Sequence, residues 1–204
     1  CTSGAVQIRC PFRRESDVHL LRLLRPNHVL LELESAVLPP DVAEHRKRVA
    51  YAEEHDRTPP EPPEVDRHGR WLRKEAVIRE MAALFDRSGE IRNLSKFTKD
   101  LIDRERKSST GVGGGLALLH VRSMQPRKLV VVLARSRVGA EYFAVDDEPV
   151  HLVVGIAAPS YDDADYWKLY RFLATIFNQE SWLLQAILDA EDENEIVHLV
   201  KGLR

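Results

Sequence analysis

Ser109-Thr110-Gly111-Val112-Gly113-Gly114-Gly115-Leu116-Ala117-Leu118-Leu119-His120-Val121-Arg122 decides how this chain is read. Four of the ten glycines fall in it, ahead of a short apolar run that ends in one histidine. Glycine opens positive φ and close backbone approach, so the cluster predicts a shaped loop feeding a buried strand over Leu116 to Leu119, with His120 at the strand's exit. A neutral imidazole is a nucleophile near pH 7. Beside a loop with free N–H groups, His120 is a candidate for taking up a phosphoryl group. Two nucleotide motifs are excluded. A P-loop needs Lys and Ser/Thr after its last glycine, where Leu116 and Ala117 stand; a dinucleotide fingerprint needs a sixth-position glycine, where Leu116 or Leu118 stands.

Working outward, the chain alternates helix and strand as an α/β layer structure does. Upstream, Ile78, Met81, Ala82 and Phe85 share one face of a helix over 71–86, which stops at Ser88-Gly89. Asn93 is the expected N-cap of a helix through Leu94, Phe97 and Leu101 that delivers Arg104 near the glycine loop. Strands are predicted over 116–120, 129–133 and 150–157, with a weaker one over 141–145. His28 to Glu34 adds another, with Val29, Leu31 and Leu33 on one face. Three helices follow Pro159, the first carrying Tyr166, Tyr170, Leu173 and Phe177, the last opening on Asp192 and Glu195 in capping-box spacing.

The 204 residues suit one domain with some excess, and 44% hydrophobic content supplies a core. Thirty basic against 32 acidic residues, a net charge of −2, give no footprint for nucleic acid or an anionic membrane. No apolar run is long enough to span a bilayer. Cys1 and Cys10 form no disulfide framework, so a cytoplasmic location is expected, as a soluble domain that could belong to a larger chain. Residues 1–17 read as a tail or linker and 18–204 as the domain. Within it, 35–70 reads as an insertion: a charged helix over 41–57, then an arm with Pro59, Pro60, Pro62 and Pro63. His45, His55 and His68 are too widely spaced for a metal site, and no metal or cofactor is expected.

The order Arg104-Glu105, Ser109-Thr110-Gly111-Val112-Gly113, then Gly115 to His120 resembles the active-site segment of enzyme IIA domains of the fructose/mannitol type, which include nitrogen-regulatory relatives. These belong to the phosphoenolpyruvate-dependent sugar phosphotransferase system. The likeness continues in Asp146 to Val153, Ala158-Pro159 and Leu173-Ala174, loosely covering 20–34 and closely covering 71–203. It implies the enzyme IIA fold, a mixed sheet of four to five strands flanked by helices, and a phosphorylated histidine at His120. It also implies phosphate support from Arg104, Ser109, Thr110, Gly111 and Gly113. The implied partners are a histidine phosphocarrier protein and an enzyme IIB or other transporter or regulator domain, with no nucleic acid and no direct membrane insertion; a homodimer through the arm is left open.

Two positions depart from the family pattern. Leu119 stands where a proline usually precedes the histidine, and Tyr166 aligns with a second active-site histidine. A tyrosine hydroxyl donates a hydrogen bond but brings no charge. Asp162, Asp163 and Asp165 nearby would repel a dianion if they faced the site. The residues therefore leave two functions open: a phosphocarrier, or a binding module that keeps the fold without turning over phosphate.

Overall fold

A computed structural model describes residues 23–36, 40–61, 66–161, 164–179 and 181–202. The expected tail, both cysteines, Pro62, Pro63, Asp162 and Asp163 lie outside the described residues. The strands are β1 (Val29–Leu30), β2 (Gly111–Gly113), β3 (Leu116–Ser123), β4 (Val130–Ala140) and β5 (Val150–Pro159). The helices are α1 (Pro40–Glu54), α2 (Arg67–Asp86), α3 (Leu94–Lys107), α4 (Ala164–Gln179), α5 (Ser181–Asp189) and α6 (Glu193–Gly202). The five strands form one mixed sheet in the order β1-β4-β5-β3-β2, the four-to-five-stranded sheet the sequence implies. β1 runs parallel to β4 and β5 parallel to β3, while β4–β5 and β2–β3 are antiparallel.

Side chains alternate across a strand, so each buried strand feeds two cores. On one face Ala117, Leu119, Val121, Val132 and Val153 pack against Val77, Ile78, Met81 and Phe85 of α2 and Phe97 and Leu101 of α3. On the other, Leu116, Leu118, Val131, Leu133, Leu152 and Val154 pack against Leu169 and Leu173 of α4, Leu183 and Ile187 of α5, and Ile196 and Val200 of α6. The parity of β3 therefore sends His120, two residues beyond Leu118, to the α4 face. His120 is the fifth of eight residues of β3, not its exit.

The expected caps form. Asn93 accepts the Lys96 N–H at 2.9 Å and Asp192 accepts the Glu195 N–H at 2.8 Å, with the Glu195 carboxylate returning to the Glu191 N–H at 2.8 Å. Two strand expectations change. The strand after His28 is regular only over Val29 and Leu30: beyond them the Leu33 N–H still donates to the Arg135 carbonyl at 2.9 Å, and the Glu80 carboxylate of α2 then accepts the N–H groups of Glu34 at 3.0 Å and Ser35 at 2.9 Å. Residues 141–145 are a loop: Phe143 sits at φ +52°, a left-handed value that breaks an extended run. β4 instead runs on to Ala140.

The insertion expected over 35–70 contains α1 and a segment without regular structure over 57–61, but its end is part of α2. Asp66 caps that helix through the Gly69 N–H, and Arg70 pairs with Glu141 and with Asp147. Among the described residues no helix is long and apolar enough to cross a membrane.

Candidate functional site

Three successive glycines with positive φ, Gly113 at +90°, Gly114 at +60° and Gly115 at +77°, turn β2 back onto β3. Gly111 is required for a different reason: a Cβ there would lie 2.8 Å from Ala144 Cα. Pairing sets Gly111 opposite Ala117 and Gly113 opposite Leu116. The cluster is thus the turn of a hairpin: Gly111 and Gly113 stand opposite residues three and four before His120, about 10–13 Å along the strand at strand rise, and the turn itself lies further away. It does not border the histidine as the sequence suggested. Its amides also have partners: Gly114 N–H donates to Asp146 at 2.8 Å, and Gly111 N–H to Ser109 Oγ at 3.2 Å.

Arg104 does meet His120. The last turn of α3 carries its guanidinium to Nε2 at 2.7 Å, while its other terminal nitrogen donates to the Ser108 carbonyl at 2.9 Å. Ser108 leaves the helix directly into extended backbone, and an arginine in the last turn satisfies the freed carbonyl. A guanidinium has only donors, so Nε2 must accept and is unprotonated. The ring proton is then on Nδ1, which donates to the Leu118 carbonyl at 2.7 Å. Two contacts fix the tautomer with the Nε2 lone pair toward a cation. Burial holds the His120 pKa below that of a free imidazole, partly offset by the Leu118 carbonyl, with Arg104 lowering it further.

α4 closes the other side with aromatic rings. Tyr170 stands edge-on to the imidazole at 4.8 Å between centroids, and Tyr166 lies at 6.3 Å, tilted by 58°. Tyr166 is 2% exposed, and burial pushes its pKa up to about 12, so it holds its proton throughout the neutral range. Trp167 packs edge-on against both tyrosines and remains half exposed. Asp165 is exposed and paired with Lys168 at 3.3 Å. Arg122, two residues along β3, donates to the Ser160 carbonyl at 2.7 Å.

Ser109 and Thr110 are placed differently from the sequence expectation. Thr110 gives its N–H to Glu105 at 2.7 Å and its hydroxyl to the same carboxylate at 2.8 Å. The Ser109 hydroxyl donates to the Tyr142 carbonyl at 3.1 Å and accepts from Lys74 at 2.8 Å and from Gly111. Both hydroxyls are thereby engaged in holding the corner between α3 and β2. The charged groups they hold, Lys74 and Glu105, form a buried ion pair at 2.6 Å. Sequence reasoning missed Lys74, Tyr142 and Tyr170. The available signal was position: Lys74 continues the stripe Val77, Ile78, Met81, Phe85, and Glu105 continues Phe97, Leu101.

A histidine in a single tautomer, one nitrogen facing an arginine fork and the other on a backbone carbonyl, set in a mixed sheet between helical layers, defines a candidate phosphohistidine carrier. Residues 64–202 match the family described as the phosphoenolpyruvate-dependent sugar phosphotransferase system, EIIA 2, and the chain belongs to that family. It is 30% identical over 127 residues to the fructose-specific EIIABC component of Bacillus subtilis, covering 62% of this chain and 20% of that protein. To the fructose-specific EIIA component of Haloferax volcanii it is 27% identical over 123 residues, 60% of this chain and 79% of the other. The fold of the nitrogen regulatory protein IIA-Ntr of Neisseria meningitidis superposes with a TM-score of 0.65 at 19% identity, over 89% of this chain and 99% of that one. Escherichia coli enzyme IIA for mannitol, solved in complex with phosphorylated enzyme IIB, superposes with a TM-score of 0.53 at 21% identity, over 63% and 88%.

Proposed function

We propose that this enzyme IIA domain takes a phosphoryl group onto His120 Nε2 from a histidine phosphocarrier protein and passes it to an enzyme IIB domain. The observation that carries this reading is the pair of contacts on His120: Nδ1–H on the Leu118 carbonyl and Nε2 on Arg104. In the transfer, the Nε2 lone pair attacks phosphorus, the N–P bond of the donor's phosphohistidine breaks, and its electron pair returns to the donor ring. Charge accumulates on the equatorial oxygens of the moving group and on the acceptor ring. The Leu118 carbonyl meets the ring's positive charge through Nδ1–H. Arg104 slides from the lone pair onto phosphate oxygens while its anchor on Ser108 keeps it in reach, and an arginine grips two such oxygens at once. Tyr166 and Tyr170 keep water from one side of the ring, and Tyr166 offers a protonated hydroxyl to the product. The enzyme IIB partner is supported by the Bacillus subtilis relative, whose name joins components A, B and C, and by the mannitol complex.

Incubation with phosphorylated carrier tests the assignment. Acid-labile phosphate should form on the parent and be lost in His120→Ala. Uptake by neither protein would favour a binding module, a reading that the tyrosine in place of the second histidine supports.

The pH dependence follows from the depressed pKa. Neutral imidazole is the nucleophile, so acceptance should be level from pH 7 to 8 and fall only below about 6.5, the free-imidazole value. The His120 ring resonances should titrate with a midpoint below about 6.5, and a midpoint at or above it would contradict the burial argument. The same shift bears on stability. Between the folded pKa and the unfolded value, the unfolded chain binds a proton that the folded chain does not. Stability from this group is complete above the unfolded pKa and declines as pH falls toward the folded one.

A further inference from the structure

Lys74 is 1% exposed and Glu105 is 2% exposed, and neither takes part in the transfer chemistry described above. Removing two charges from water is costly, and packed apolar side chains hold a fold as well as a buried ion pair does. The pair's placement shows what it contributes. Lys74 Nζ from α2 reaches Glu105 at 2.6 Å and Ser109 Oγ at 2.8 Å, and lies 4.4 Å from the centre of the Tyr142 ring. Glu105 from α3 holds the N–H and hydroxyl of Thr110. Together they tie α2, the end of α3 and the start of β2 into one corner, and Arg104 is the neighbour of Glu105 in that corner.

We infer that Lys74 and Glu105 are a positioning pair for His120: Glu105 fixes the corner that carries Arg104, and Lys74 neutralises Glu105 so that Arg104 stays on the histidine. The groups on His120 are Arg104 from α3 and Tyr166 and Tyr170 from α4, with Arg122 further along β3; the Glu105 carboxylate sits on Lys74 and Thr110 and reaches the imidazole only through its field. Of these, Glu105 is the negative charge and Arg104 the positive charge that act on the imidazole. Taking away the charge of Lys74 leaves the Glu105 charge unopposed near the imidazole. The imidazole then gains protons more readily. Taking away the charge of Glu105 has the opposite effect, because the group that favoured the imidazolium is gone.

The role rests on His120 being the phosphoryl acceptor, and the experiment separates the two claims. The His120 titration is followed by NMR in the parent, Lys74→Met and Glu105→Gln, and acceptance from a phosphorylated histidine phosphocarrier is timed in all three. The midpoint should rise by about half a unit in Lys74→Met and fall by about half a unit in Glu105→Gln. Acceptance should slow about tenfold in each through turnover, with the carrier concentration for half-maximal rate unchanged. General loosening of the fold would expose the ring and move both midpoints up toward free imidazole. Two upward shifts, or none, overturn the proposal. If Lys74→Met does not fold, Glu105→Gln decides, since it keeps volume: a downward shift supports the pair, and an upward or absent shift refutes it. Opposite shifts in a protein whose parent takes no phosphate would uphold the pair and remove the acceptor reading.

Discussion

Replacing Arg104 with methionine is expected to slow phosphoryl acceptance by about 10²- to 10³-fold. That is the usual loss when a preorganised group facing transition-state charge is removed. Arg104 stands 2.7 Å from the nitrogen that would be phosphorylated and is anchored by Ser108, so it needs little reorganisation to meet the incoming oxygens. Arg104→Lys should recover part of the rate, because it restores charge without the planar fork. The guanidinium also lowers the His120 pKa, so the pH at which acceptance falls off should move upward in Arg104→Met. Quench-flow measurement of acid-labile phosphate between pH 5.5 and 8 checks both. A rate within threefold of the parent would show that Arg104 only holds the resting imidazole.

The second large effect concerns Tyr166. If its hydroxyl hydrogen-bonds the phosphate on His120, Tyr166→Phe removes one bond to a charged group, worth ~1.5–3 kcal/mol, or about one to two orders of magnitude in rate or in phosphohistidine lifetime. The ring is buried in the α4 core, so phenylalanine preserves the packing and isolates the hydroxyl. Tyr166→His recreates the family's two-histidine arrangement and should equal or exceed the parent. An inert parent with an active Tyr166→His would instead mark the chain as a binding module. Comparing acceptance and hydrolysis of the phosphorylated forms of all three proteins distinguishes these cases.

The mixed sheet and the meeting of Arg104 with a histidine were legible because periodicity, caps and motif order all act locally. The strands lay where apolar runs lay, and Asn93 started the helix that aims Arg104. What the sequence concealed was partnership. Ser109 and Thr110 present hydroxyls that suit a phosphate, yet their hydrogen-bonding capacity is engaged by Lys74, Glu105 and Tyr142, groups 5 to 35 residues away. Lys74 reads as one more charge in Arg70-Trp71-Leu72-Arg73-Lys74-Glu75 unless its place on the apolar stripe is given more weight than its chemistry. The glycine cluster was legible as a turn but not in its distance from His120, which depends on the register of β2 against β3. Residues 141–145 looked extended because φ cannot be read from Tyr142, Phe143 and Ala144.

The most direct measurement is NMR of the protein after incubation with phosphorylated histidine phosphocarrier, with nitrogen-15 in the imidazoles to identify the atom bonded to phosphorus. The tautomer set by Leu118 and Arg104 predicts a single phosphoryl group on His120 Nε2, absent from His120→Ala. Phosphate on His120 Nδ1, on another residue, or unchanged in His120→Ala would contradict the account.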